Sequence, residues 1–129
     1  MNKILVEVSI GELLDKISIL EIKLDKIKDS ENLKFISNEH SILKKQLDNN
    51  VKSDEKLLKF FQSLKEINEK LWVIEDEKRR CEKDKDFGDQ FIKLSRDVHF
   101  LNDERAKIKL DVNNHTGSSI KEIKEYTSY

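Results

Sequence analysis

Apolar residues recur every three and four positions along three long stretches of the chain, a spacing that an α-helix gathers onto one face and a strand cannot. Stripes of this kind restrict the fold to helices that bury a seam against one another. Composition agrees, since no Pro, three Gly and 40% Asp, Glu, Lys and Arg match long helices with solvated outer faces. At 129 residues the chain fits a single domain, and a domain of that size buries roughly two thirds of its unfolded surface without staples.

Ser9 and Glu12 stand at the spacing of a capping box, which predicts a helix start there. Ile10, Leu13, Ile17, Leu20, Leu24 and Ile27 keep the three-four alternation behind it. Ile19 and Ile22 fall on the far side, so this helix is either central to the domain or shared with a second copy. A second helix follows Asp29 or Ser30 and runs to about Asp48, with Leu33, Ile36, His40, Leu43 and Leu47 along its stripe. After a turn, Ser53 or Asp54 caps a third, striped by Leu57, Phe60, Leu64, Ile67, Leu71 and Ile74. The charged run Glu75 to Asp86 extends it towards Gly88, where Asp86 caps a fourth. Phe91, Leu94, Val98, Leu101, Ile108 and Val112 mark that last helix, which stops between Asn113 and Gly117. Ile4 to Val8 read as a short strand or an extended lead-in, and Ile120, Ile123 and Tyr126 as a strand against it or a frayed tail. The expected fold is all-α over residues 1–129: two antiparallel helical hairpins in a four-helix bundle with coiled-coil-like seams, with room for short strands at both ends.

Charge excludes some functions. With 25 cations against 26 anions and no basic stripe, the chain lacks the excess that supplies most of a duplex binder's affinity, so nucleic acid is not the expected partner. Nothing approaches the roughly 18 apolar residues of a bilayer span. The start MNKILVEVSIGELL lacks a basic leader, and Cys81 is alone, so a reduced, cytoplasmic setting is expected. His40, His99 and His115 are isolated and no Glu-x-x-His occurs, so no metal or cofactor is expected.

Function is hinted at by polar residues inside the stripes. Glu21 lies between Ile17 and Leu24; Asn68, Glu75 and Arg79 line up on the third helix, and Asn102, Arg105 and Lys109 on the fourth. A buried charge is tolerated only when paired, because desolvation otherwise costs several kcal/mol. These groups are therefore expected to meet, with Arg105 to Glu21 or Glu75 as the central pair. Two readings follow. The cluster is a structural layer that fixes helix register, as a lone Asn does in coiled coils. Alternatively, its cations outnumber their partners and Arg79, Arg105, Lys109, Asn102 and Asn68 hold an anionic small molecule, with Glu21 or Glu75 as acid or base. His99, beside Ile92 and Leu110 on a second face of its helix, reads as an oligomer contact, and Trp72 as core.

The blocks VEVSIGELLDKISILEIKLDKI, LWVIED and LNDERAKIK followed by GS resemble a small bacterial and phage family of unknown function, across nearly the whole chain. Glu12, Asp15, Lys16, Glu21, Trp72, Glu75, Asp76, Arg79, Arg96, Asn102, Asp103, Arg105 and Lys109 match recurrent positions of that family. Lys78, His99 and the ending KEIKEYTSY depart from its pattern, and the resemblance implies no activity. LNDERAKIK and LLDKISIL also resemble, more faintly, helices of the all-helical chorismate mutases, which implies a dicarboxylate held by Arg79, Arg105 and Lys109 with Glu75 beside it. Two functions are accordingly expected: a self-associating helical scaffold, dimeric because the first and fourth helices are apolar on two faces, or an isomerase-like enzyme or binder of an anionic metabolite.

Overall fold

The computed structural model describes residues 2–129, and its regular structure is four helices: α1 (Ile10–Lys26), α2 (Ser30–Asn50), α3 (Glu55–Lys83) and α4 (Asp89–Thr116). Local chemistry sets three of the starts. The Ser9 hydroxyl accepts the Glu12 N–H at 3.0 Å, Asp29 accepts those of Glu31 and Asn32, and Asp54 accepts that of Leu57 at 2.7 Å. The capping box at Ser9 is half made, because the Glu12 carboxylate reaches α4 instead of turning back. Asp86 does not cap α4; it accepts the Gly88 N–H, and α4 begins without a side-chain cap.

The stop of α3 comes earlier than the charged run suggests. Lys85 takes a left-handed conformation at φ 53°, and the Asp86 N–H returns to the Cys81 carbonyl at 2.8 Å while Lys85 donates to Glu82. This double bond pattern closes a helix C-terminus, here around a lysine where glycine is usual. Gly117 ends α4 in the same conformation, at φ 68°, as its position predicts.

α1 occupies the centre, lying against each of the other helices, whereas α2 runs along α1 alone and α3 pairs with α4. That arrangement answers why α1 is apolar on more than one face. Leu14 and Ile17 of α1, Leu47 of α2, Leu57 and Leu64 of α3 and Val112 of α4 make the buried core. With 17 residues α1 spans about 26 Å, against about 44 Å for the 29 of α3. The far ends of α3 and α4 therefore continue as a two-helix arm, closed by buried Cys81 and Leu94 and an edge-on Phe87–Phe91 contact. No helix is long and apolar enough to cross a membrane.

The strands allowed for at the two ends do not form: the described residues contain none. Residues 4–8 belong to no regular element and have no ladder partner. The segment expected to pair with them, within 118–129, is drawn along α4 by Glu122 to Lys109 and by Tyr129 to Asp103. Accessible surface totals 9691 Å², compared with about 7,100 Å² for a compact monomer of 15.3 kDa. Much of what a compact chain hides is left open here.

Candidate functional site

Gly11, Asp15, Ser18 and Ile22 follow one another at four, three and four residues, so they share one face of α1. Glycine at the first of these lets α4 come close: a Cβ there would lie 2.4 Å from the Lys109 carbonyl oxygen. Its N–H donates instead to Asn113 Oδ1 at 2.7 Å. One turn on, this approach drives the Asp15 carboxylate into the junction of α1, α3 and α4, where only 1% of it is exposed. Burial at that level demands partners, and α3 and α4 supply them. Arg105 donates from Nε at 2.9 Å and from Nη2 at 2.5 Å, one nitrogen to each oxygen, and Asn68 Nδ2 donates to Oδ1 at 2.9 Å. Asn68 also donates to Ser18 Oγ, which donates in turn to the Asp15 carbonyl.

Lys109 extends the network. Its ammonium lies 2.6 Å from Glu12, 3.2 Å from Glu122 and 3.9 Å from Asp15. Three carboxylates thus surround two cations, and none of the buried side-chain polar atoms among the described residues is left without a partner. The Asp15 hydrogen bond raises the Arg105 guanidinium further above its ordinary value. Burial pulls the Lys109 ammonium down, but the Glu12 hydrogen bond and the charges of Asp15 and Glu12 outweigh it and leave it raised. Lys109 in turn holds Glu122 below the ordinary carboxylate range. Both cations stay charged at neutral pH.

Beside this network, where α1 ends and α3 continues, opens a groove of about 400 Å³. Ile22, Leu71 and Trp72 supply apolar lining, and Glu75, Arg79 and Arg105 polar lining. No His, Cys, Asp and Glu group among the described residues converges as a metal site would.

A model of the family of unknown function DUF6165 matches residues 4–129. The chain belongs to that family. No curated protein and no solved structure matches it, so the likeness to chorismate mutases rests on the short sequence blocks alone.

Four of the residues expected at a site do come together in this DUF6165 chain, for Asn68, Glu75, Arg79 and Arg105 all line the groove. Lys109 lies on the other side of Asp15, engaged by Glu12 and Glu122. Asn102 faces the 126–129 segment beside His99 and Asp103. Glu21 is elsewhere, 3.3 Å from His40 Nε2 and 3.4 Å from Lys65 Nζ, because its face of α1 looks towards α2 and the near side of α3. The expected pairing of Arg105 with Glu21 or Glu75 is therefore corrected: Asp15 is its partner. Residue reading missed Asp15 as the hub, together with Ser18 and Glu122. The signal for Asp15 was the small-residue spacing of Gly11 and Ser18 on either side of it, which marks a close helix crossing; Glu122 had none.

Proposed function

We propose that this chain is a self-associating helical interaction module, one domain in a reducing, cytoplasmic setting, whose segment Ile4–Val8 pairs with the same segment of a second copy. The observation that carries the reading is the exposure of that segment: Ile4 88%, Leu5 85%, Val6 73% and Val8 48%. An exposed apolar run with unpaired backbone is a template for another strand. Its alternation makes it complementary to itself. In an antiparallel pair centred on Val6, Ile4 opposes Val8, and Ile4, Val6 and Val8 of both copies share one face. Two short strands bury little area, so the association is weak and depends on concentration.

The reading as a metabolite isomerase requires Arg79, Arg105 and Lys109 to be available together. Arg105 and Lys109 already answer carboxylates of the chain itself, which supports the scaffold. Size-exclusion chromatography of Val6→Asp tests the segment. Val6 contributes nothing to the core, so the variant keeps the wild-type melting temperature and elutes as a monomer. Val73→Asp, on the far face of the α3–α4 hairpin, leaves the dimer intact. The opposite pattern would move the interface to that helical face, where Val73 is 47% exposed and Phe100 37%.

A further inference from the structure

Two charged residues face the groove at the end of α1 without being spent on the fold. Asp76, at its rim, is held by Arg80 at 2.8 Å, but Glu75 and Arg79 form no ion pair among the described residues. They stand one turn apart on α3, a carboxylate and a guanidinium flanking the same space. Behind them the Asp15 network leaves two more groups over. Arg105 uses Nε and Nη2 on Asp15, so Nη1 is uncommitted, and Asn68 uses its amide nitrogen on Asp15 and Ser18, so its carbonyl oxygen is uncommitted. Asp15 and Ser18 lock these two side chains in place before any ligand arrives, which is what a selective site requires. The rest of the lining is apolar: Ile19 and Ile22 of α1, and Leu71 and the ring of Trp72 one turn or two before the charged pair on α3.

We propose that the groove binds a small zwitterion on an apolar body, an α-amino acid with an aromatic or branched side chain. Its carboxylate meets Arg79 and Arg105 Nη1, its ammonium meets Glu75 and the Asn68 carbonyl, and its side chain lies on Trp72. A simple anion would satisfy Arg79 but face Glu75; a simple amine would do the reverse. Only a molecule carrying both charges answers both residues. The volume of about 400 Å³ lies within the range of small-molecule pockets and accommodates such a ligand.

Trp72 is the only tryptophan, so its emission reports on the groove directly. The test titrates the full chain with L-phenylalanine, phenylpropionate and phenethylamine, exciting Trp72 alone. A saturable change with L-phenylalanine is expected, and binding of the two single-charge analogues at least about tenfold weaker, the worth of one charge-assisted hydrogen bond. Glu75→Gln and Arg79→Gln each weaken the L-phenylalanine response by a similar factor without lowering the melting temperature. No saturable change, equal binding of phenylpropionate, or a response indifferent to both variants would overturn the proposal. Val6→Asp leaves the response unchanged, which keeps this test separate from that of self-association.

Discussion

Arg105 of α4 grips both carboxylate oxygens of Asp15 of α1, across 90 residues of chain. Asn68 of α3 closes the third side, so one buried carboxylate ties three helices in a single register. An apolar seam tolerates sliding by a turn, since one leucine packs much like the next. A forked guanidinium on a carboxylate does not.

Arg105→Ala strands the Asp15 carboxylate in a dry junction. Breaking a buried pair from one side costs about 3–5 kcal/mol, and here the lower end is expected because Asn68 and Lys109 remain near Asp15. Replacing both partners, as Asp15→Leu with Arg105→Met, removes the stranded charge and restores most of the loss. Urea denaturation of the three variants reads this directly. A cost for Arg105→Ala below about 1 kcal/mol, the range of exposed pairs, would show Asp15 to be solvated.

Gly11→Ala should destabilise, although alanine is the better helix former by about 0.5–1 kcal/mol. The new Cβ would meet the Lys109 carbonyl, which is backbone and cannot swing away. Separating α1 from α4 costs about 1–3 kcal/mol, as overpacking does, and loosens the Asp15–Arg105 contact with it. A variant that melts above the wild type would contradict the close crossing.

Docking of the 118–124 segment depends on pH through Glu122 and Lys109. Glu122 is depressed in the folded state, so its contribution is present above the unfolded carboxylate value and is lost as pH falls through the folded one. Lys109 is raised, so its contribution is present below the ordinary lysine value and is lost as pH climbs past the folded one. Amide chemical shifts of residues 118–124 are expected to move towards random-coil positions only once pH falls below the ordinary glutamate range, while α1 to α4 persist. Glu122→Gln should already show the loosened shifts at neutral pH and no acid transition. Because Glu122 is 45% exposed, the effect on global stability is small.

Much of this molecule is legible in its residues. The Ser9 cap and the four stripes are where the spacing places them, Asp29 and Asp54 cap out of the two candidates at each start, and α4 stops at Gly117, the last residue of the range expected. The end of α3 is not, because Lys85 takes a conformation that composition assigns to Gly88. Asn68, Glu75, Arg79 and Arg105 were visible as polar interruptions of apolar stripes. Asp15 was hidden for the opposite reason: on a helix enclosed by three others, a carboxylate beside Leu14 resembles a solvated one until the close approach at Gly11 is known. Pairing across 90 residues is a property of the assembled helices, and no local spacing encodes it.

Sedimentation equilibrium of the purified chain over a concentration series, up to high micromolar, tests the functional account most directly. Mass should rise from 15.3 kDa towards twice that value with increasing concentration, and the rise should vanish in Val6→Asp. A single species of 15.3 kDa at every concentration would contradict it.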